Sequence, residues 1–363
     1  MPRLGGGHGR SWAMKTSGYR VARTSGVLAS IAGLAMVLGV ACGSDDGSGG
    51  GGESSGGMTA IKMVVPQSIQ YIPVFAAIDG GYFEKQGLDA SVSEFTDVQA
   101  ARTVFLSGDV DVLVGASIGN TALNDNVPIK HVVGLYTGDA QQIVLKKDLE
   151  SKVEAGDVNA LKGLTLATTT PGSGADTTLR ALLSQNGITD AKVINNNGLA
   201  GAYSALSEGR VDGMITAEPF TTNAIEDGLG FQLMDLADAP DAWPVGQKLP
   251  SVVFSVKEDF YNDNRETVDK LVAGVVDALI DFQKDPAPLV AAAQKAMPDQ
   301  DKDRTAEVVN KVLPRYSPII NEDGWDPAMD LWLETGALEN RVEYDQIVAT
   351  DYEKEWARFT PSS

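Results

Sequence analysis

The sequence predicts an α/β protein with two lobes, two hinge crossings between them and a helical C-terminal part. Short apolar strand patterns alternate with amphipathic helix patterns from Ile61 to Val256, which is typical of a parallel-rich sheet covered on both faces. A helix–loop–strand unit occurs twice, as AARTVFLSGDVDVLVGAS (100–117) and AYSALSEGRVDGMITAEP (202–219). The repeat indicates two lobes of related construction, although common α/β sequence patterns also produce matches of this length.

The first 42 residues predict a secretory signal. A basic segment precedes an apolar run from Val27 to Val40, which is too short to span a bilayer but fits the core of a signal peptide. The run ends in LGVAC, which resembles a bacterial lipobox, in which the cysteine becomes the diacylated N-terminus. Gly39 departs from the leucine that is usual there, and both Met1 and Met14 are available as the start. The pattern predicts lipidation of Cys42.

The next segment, 43–57, contains only small and acidic residues and predicts a flexible tether, because it has no apolar side chains to bury. Folded structure is expected from residue 58. We assign 58–146 and 251–363 to the first lobe and 147–250 to the second. The tether would hold both lobes close to the outer face of the cell membrane.

Composition excludes several classes of function. The chain has 29 basic and 49 acidic residues, and this net charge of −20 argues against nucleic acid and anionic lipid as partners. Cys42 is the only cysteine, so no disulfide forms within the chain. His8 lies in the signal, and His131 lies in the strand pattern IKHVVGLY, where a structural role is favoured. We therefore expect no metal site, no cofactor and no catalytic residues.

The first lobe is predicted from strand patterns and helix signals in turn. Pro73 opens a helix, Gly87 ends the turn that follows it, and Asp97 caps the next helix. The strands are predicted at 61–67, 90–95, 110–114, around His131, and at 142–147 where the chain leaves this lobe.

The second lobe begins with the stretch LKGLTLATTTPGSGADTTLRALLSQN (161–186). It predicts a strand from Leu164 to Thr168, a loop of hydroxyl and glycine residues at 169–174, and a helix from Ala175 to Gln185. Free backbone N–H groups at a helix start suit a small polar or anionic group. The loop lacks the lysine of GxxxxGK[ST], which argues against a nucleotide. A plain capped turn remains the alternative.

The chain then continues through predicted strands and helices to the C-terminus. A proline-rich loop (240–250) precedes the strand at 251–256 that crosses back to the first lobe. An unbroken apolar stripe from Val268 predicts a long core helix. Asp326 and Pro327 predict a later helix start, and Gly336 its end. The other predicted elements are strands at 192–195, 213–216 and 231–234 and helices at 200–207 and 220–226.

Five segments together resemble a known family: PVFAAIDGGYFEKQGLDASVSEF, LSGDVDVLVGAS, LKGLTLATTTPGSGADTTLRALLSQNGI, ALSEGRVDGMITAEPF and TGALENRVEYDQIVATDY. Their order resembles the periplasmic or lipid-anchored substrate-binding proteins of the nitrate, sulfonate and taurine type, a family that includes thiamine-precursor binders of the NMT1/THI5-like kind. The resemblance implies a two-lobe periplasmic-binding-protein fold of type II, and a monomer that captures a small-molecule solute. It also implies delivery to an ABC permease and its ATPase.

The resemblance also implies a pocket between the lobes. Each position has a plainer reading as well, since Tyr71 can cover the core, Glu218 can cap its own helix and the asparagines at 195–197 can form a turn. The ligand-binding residues implied by position are Gln67, Ser68, Tyr71, Ser117, Thr137, Thr170, Gly172, Ser173, Asp176, Asn195 and Glu218.

Asp176 stands where many relatives carry a neutral residue or histidine, and the named loops contain neither Arg nor Lys. A carboxylate there competes with an anion for the helix start, so we expect a neutral, zwitterionic or amine-bearing solute over a bare dianion. Two alternatives remain. A pyrimidine-synthesising enzyme of the same fold would require a cysteine-rich loop and a histidine in the cleft, which the sequence lacks. A ligand-sensing surface lipoprotein would lack a permease encoded nearby.

Overall fold

A computed structural model describes residues 57–66, 68–95, 98–115, 123–298 and 300–360. The strands form two five-stranded sheets, with helices packed on their faces. The ten strands are β1 (Thr59–Pro66), β2 (Leu88–Phe95), β3 (Val112–Val114), β4 (Ile129–Tyr136), β5 (Gln142–Lys146), β6 (Thr165–Thr168), β7 (Lys192–Asn195), β8 (Gly213–Thr216), β9 (Gly230–Asp235) and β10 (Val252–Lys257).

The first sheet has the strand order β2-β1-β3-β10-β4. β1 is parallel to β2 and to β3, while β10 runs antiparallel to both β3 and β4. Consequently β4 points the same way as β1, and the carboxyl ends of β1, β2, β3 and β4 lie at one edge of the sheet. The inner strands β1, β3 and β10 are mostly apolar and buried, as expected where helices cover both faces, whereas the edge strand β2 alternates apolar and polar residues from Leu88 to Ser93.

The second sheet has the order β7-β6-β8-β5-β9. β6 is parallel to β7 and β8, and β5 is antiparallel to β8 and β9. The segment 142–147 was expected at the end of the first lobe, but its backbone ladder lies entirely in the second sheet. The first crossing is therefore earlier, between Tyr136 and Gln142, and the second lies between Asp235 and Val252.

The helices follow the predicted alternation, and the C-terminal part is helical as expected. In the described part of the chain, every helix is too short or too polar to cross a bilayer. The helices are α1 (Ile72–Asp79), α2 (Tyr82–Lys85), α3 (Val98–Ser107), α4 (Gly174–Gln185), α5 (Gly198–Ser207), α6 (Phe220–Glu226), α7 (Glu258–Asp263), α8 (Arg265–Lys284), α9 (Ala287–Ala296), α10 (Lys302–Val312), α11 (Trp325–Glu334), α12 (Tyr344–Ile347) and α13 (Glu353–Trp356).

The long helix α8 confirms the predicted apolar stripe, since its residues from Val268 to Leu279 on that stripe are buried. α11 starts two residues earlier than predicted, because Gly324 and not Asp326 occupies the cap position, and Asp326 instead pairs with Arg341. Gly336, with φ of +72°, follows the end of this helix as predicted. A glycine suits that left-handed conformation because it has no side chain to clash.

His131 is a structural residue, as its strand pattern indicated. Its ring is buried in β4, where Nδ1 lies 2.8 Å from Ser255 Oγ on β10 and the ring packs edge-on against Trp325. Burial lowers the pKa of His131 to about 3, because the charged ring would lose its hydration. The ring is therefore neutral at physiological pH and packs in the core beside the first sheet.

Candidate functional site

Both crossings connect the carboxyl edges of the two sheets. The first leaves β4 at Tyr136 and enters β5 at Gln142, whose ladder partners are Thr216 and Asp235 at the carboxyl ends of β8 and β9. The second leaves β9 and enters β10 at Val252, which pairs with Tyr136. The loops that follow the parallel strands of each sheet therefore lie on the side where the crossings are, which is where ligands bind in open α/β sheets.

The loop between β6 and α4 is held by its own hydroxyl groups. Ser173 caps α4, accepting a hydrogen bond from Asp176 N at 3.3 Å, and its hydroxyl lies 2.5 Å from that of Thr169. Gly172 takes a φ of +74°, which explains the glycine in this turn. Thr170 and Gly172 are exposed, so both are available to a bound molecule.

Asp176 lies in a buried hydrogen-bond network rather than facing solvent. Its carboxylate accepts bonds from Gly172 N at 3.0 Å, Asn195 Nδ2 at 2.8 Å and Arg180 Nε at 3.1 Å. Burial alone would raise the pKa of Asp176, but Arg180 and the other donors together lower it. Asn195 also donates to Thr169 O at 2.9 Å. The network fixes the loop between β6 and α4 to the end of β7.

Glu218 follows β8 and is almost fully buried, with only 1% of its side chain exposed. Its Oε2 accepts a hydrogen bond from Thr222 N at 3.1 Å, so it does cap the helix α6. Its Oε1 lies 2.7 Å from Lys311 Nζ, a cation from the C-terminal helical part. Both oxygens of this predicted ligand residue therefore have protein partners in this structure.

In the first sheet, the predicted residues lie beside two strand ends. Ser68 and Tyr71 belong to the turn after β1, joined by a bond from Tyr71 N to Ser68 O of 3.1 Å, and Thr137 follows β4. Tyr316 links these places, because its hydroxyl donates to Ile69 O at 2.6 Å while its ring packs edge-on against Tyr136.

The side chains of the first-sheet residues differ in exposure. Tyr71 is 9% exposed and packs into the core, as its plainer reading anticipated, and burial raises the pKa of its hydroxyl. Ser68 and Thr137 are partly exposed. Gln67 and Ser117, two further predicted pocket residues, and Cys42, the predicted lipidation site, lie outside the described residues.

Sequence reasoning did not anticipate the polar groups of the crossings. Asp139, fully buried in the first crossing, accepts bonds from Trp243 Nε1 at 2.8 Å and Gln141 N at 3.0 Å. Burial raises the pKa of Asp139 to about 6, although both donors act in the opposite direction. Arg315 pairs with Asp235 at 3.1 Å. An isolated acid in a loop carries no pattern that predicts such burial.

The interior of the site contains one buried hydroxyl that has no hydrogen-bond partner among the described residues, Thr168 Oγ1 at the end of β6. Across those same residues, no group of three or more His, Cys, Asp or Glu side chains is arranged to hold a metal ion. A small apolar cavity lies in the core beside the first sheet, next to Val74 and Phe254. A surface groove lies beside Lys248 and Asp323. Neither is lined by a predicted site residue.

Comparison with known proteins shows a match to one protein family. The sequence model of the NMT1-like family matches residues 56–297, which is most of the chain after the tether. The protein YtlA of Bacillus subtilis (strain 168), provisionally described as a binding protein, is 24% identical over 306 residues, covering 80% of this chain and 88% of that protein.

Solved structures confirm the periplasmic-binding-protein fold. The periplasmic aliphatic sulphonate binding protein SsuA from Escherichia coli superimposes with a TM-score of 0.66 at 17% identity, covering 80% of this chain and 98% of that one. The periplasmic nitrate-binding protein NrtA from Synechocystis PCC 6803 gives 0.65 at 15% identity, covering 83% and 89%. A Candida albicans protein described as having the generic periplasmic binding protein fold gives 0.60 at 12% identity, covering 80% and 96%.

Proposed function

Because the chain belongs to the NMT1-like family, we propose that it is the extracytoplasmic solute-binding component of an ABC importer. The observation that carries the proposal is the position of polar loops at the carboxyl edges of both sheets, on the side where the two crossings connect them. A small molecule between these edges would contact both sheets at once. The names of the similar proteins, which include sulfonate-binding and nitrate-binding members, support the same role.

The proposed lobes are redrawn from the sheets. The first lobe comprises 58–136 and 252–360, and the second comprises 142–235, with the crossings 137–141 and 236–251 between them as the hinge. Binding would select a closed arrangement, because a solute that touches both lobes binds that arrangement better. A dissociation constant of about 1 μM corresponds to about −8.2 kcal/mol, which exceeds the few kcal/mol by which an open form usually leads.

The proposed pocket residues are those at the two edges: Ser68, Tyr71 and Thr137 on the first lobe, and Thr170, Gly172, Ser173, Asn195 and Glu218 on the second, with Gln67 and Ser117 completing the first. Asp176 would act by fixing the loop rather than by touching the solute. Thr168 Oγ1, buried without a partner among the described residues, supports a ligand or water at this edge, since buried hydroxyls are normally hydrogen-bonded.

The expected solute is neutral, zwitterionic or amine-bearing, of sulfonate/taurine-like or thiamine-pyrimidine-like size. Two cations that hydrogen-bond to site residues are each paired with a carboxylate, Arg180 with Asp176 and Lys311 with Glu218. The N–H of Gly172 already donates to Asp176. A bare dianion would therefore find its best donors occupied, whereas a zwitterion carries its own counter-charge.

We also propose that Cys42 is lipidated and anchors a monomer to the outer face of the cell membrane. The first described strand, β1, begins at Thr59, two residues after the predicted tether ends. The partners of the protein are then a small-molecule solute, an ABC permease with its ATPase, and the membrane through the lipid. Neither a cofactor nor a catalytic step is needed for solute capture.

Solute binding can be tested by a thermal-shift screen of zwitterions, amines, sulfonates, nitrate and thiamine precursors, followed by calorimetry. We expect one solute per chain, and about a fivefold weaker affinity in Thr170→Ala, which removes one exposed hydrogen-bonding hydroxyl. Ser184→Ala, at the opposite end of α4, is the matched control and should bind as the parent does. Absence of binding across the screen would contradict the proposal, and release of a chemically altered product would favour the enzyme alternative.

A further inference from the structure

Three cations lie along one side of the C-terminal segment 302–315. Arg304, Lys311 and Arg315 are seven and four residues apart, a spacing that places side chains on one face of a helix. Each pairs with an acid from the second lobe or its hinge. The atom pairs are Arg304 Nη1 with Asp227 Oδ1 at 2.9 Å, Lys311 Nζ with Glu218 Oε1 at 2.7 Å, and Arg315 Nη2 with Asp235 Oδ1 at 3.1 Å and with Asp238 Oδ2 at 3.2 Å.

The apolar residues of the same segment, which flank the cations on the helix, pack on the first lobe. Val308, Val309 and Val312 are buried, and α10 packs on α9, which in turn packs on α1 beside the first sheet. These apolar contacts fix α10 to the first lobe, while its cations reach to the second. We call the segment 302–315 with its three cations the strap.

The three cations lie at different distances from the crossings. Arg315 pairs with Asp235, the last residue of β9, and also donates to Asp139 O at 3.4 Å, so it lies at the hinge itself. Arg304 lies about 16 Å further along the segment, from a rise of about 1.5 Å per residue. A rotation about the crossings would change the Arg315 contacts least and would separate Arg304 from Asp227 first.

The middle pair involves a buried charge. The Glu218 side chain is only 1% exposed, whereas Lys311 is 37% exposed and also approaches Gln232 Oε1 at 3.3 Å. A buried carboxylate is strongly disfavoured without a partner, so moving Lys311 away requires either water or another cation to reach Glu218. Separation of the lobes is therefore coupled to whether Lys311, water or another cation is the partner of the Glu218 carboxylate.

We propose that the strap sets the separation of the two lobes, with Arg304 and Lys311 as positioning residues that favour the arrangement seen here. This inference rests on the proposed two-lobe function and adds how its closure is controlled. Exposed ion pairs are weakened by salt, so high ionic strength should favour wider separations.

The test measures the distance between spin labels on the two lobes by double electron–electron resonance. Labels at Glu84→Cys and Asp190→Cys, both exposed, report the separation in a chain carrying Cys42→Ser. We expect Arg304→Glu to raise the ratio of wide to narrow arrangements by roughly fivefold, the factor that corresponds to about 1 kcal/mol. The swap Arg304→Glu with Asp227→Arg should restore the parent distribution.

Lys311 needs a variant that leaves no unpaired buried charge. Lys311→Gln combined with Glu218→Gln removes both charges, and it should also shift the distribution to wider separations. Lys270→Gln is the matched control, because its partner Glu266 lies on the same helix of the first lobe. That control should leave the distances unchanged.

Two different failures are distinguishable. If the parent chain shows one narrow distance that neither salt nor a solute from the screen changes, the lobes do not move and the proposed closure is wrong. If the parent shows two separations but the Arg304 and Lys311 variants keep the same ratio, the lobes move and the strap does not control them. Thermal melts of each variant establish that it is folded before its distances are compared.

Discussion

Replacement of Asp176 is the most direct test of how the loop between β6 and α4 is built. In Asp176→Ala the three donors of the network lose their shared acceptor: Gly172 N, Arg180 Nε and Asn195 Nδ2. Asn195 keeps its bond to Thr169 O at 2.9 Å, and the exposed Gly172 and Arg180 can turn to water. The loss should therefore be smaller than that of three buried charge-assisted bonds.

We expect a decrease of about 2 kcal/mol in the free energy of unfolding, near the range of one charge-assisted hydrogen bond after discounting the exposed Arg180 partner. Urea unfolding at pH 7 followed by circular dichroism measures it, and a melting temperature lower by about 4–8 °C should accompany it. Asp190→Ala, at an exposed position beyond the same helix, is the control and should stay within about 0.5 kcal/mol of the parent.

The pH dependence supplies a second check. The pKa of Asp176 is lowered below its ordinary 3.8 in the folded chain, so its stabilising contribution is present above that value and is lost as the pH falls below it. The stability difference between the parent and Asp176→Ala should be constant from pH 7 to about pH 5 and should shrink toward pH 3. A difference below about 0.5 kcal/mol at pH 7, or one that persists unchanged at pH 3, would refute the network.

Other expectations concern the core, the hinge and the anchor. Because the pKa of His131 is lowered from 6.5 to about 3, acidification across that window should reduce stability by up to about 5 kcal/mol. Urea unfolding measured at several pH values should show that the free energy of unfolding falls less steeply with acidification in His131→Gln than in the parent. Asp139, whose pKa is raised from 3.8 to about 6, should oppose this slope by losing stability as pH rises through that range, and Asp139→Ala should make the acid loss steeper between pH 4 and 6. Gly213→Ala should cost about 1–3 kcal/mol, since its Cβ would lie 2.8 Å from a backbone oxygen of β5, whereas Gly174→Ala, with nothing within 4 Å, should be neutral or slightly stabilising in thermal melts. Cys42→Ser should move the protein from the membrane fraction to the soluble fraction and abolish incorporation of labelled palmitate; continued membrane association would contradict lipidation.

Local sequence patterns were enough to predict the fold class, the strands and several of the helices. The loop at 169–174 and the apolar stripe of α8 both depend on interactions between residues close together in the chain. Hydrophobic periodicity and capping residues predict such local interactions well. The sheet membership of 142–146 was missed, because a short apolar run pairs equally well with either sheet until the partner strands are known.

The site was predicted less completely for the same reason. Ser173 and Asp176 are four residues or fewer from their loop partners, so the sequence indicates their proximity. Lys311 reaches Glu218 across 93 residues, and nothing in the helix around Lys311 distinguishes it from an ordinary solvated lysine. Long-range pairs of charges become visible only when the lobes are assembled, which is why the strap had no counterpart in the sequence analysis.

The position of β10 between β3 and β4 has a consequence for how the chain folds. This strand fills the gap in the first sheet through ladders on both of its sides, yet it is synthesised after every strand of the second sheet. Until it arrives, β4 has no neighbour in its own sheet, while the continuous segment 142–235 already contains all five strands of the other. Long loop closures slow folding, so we expect the inserted half to assemble first and the enclosing half to finish last.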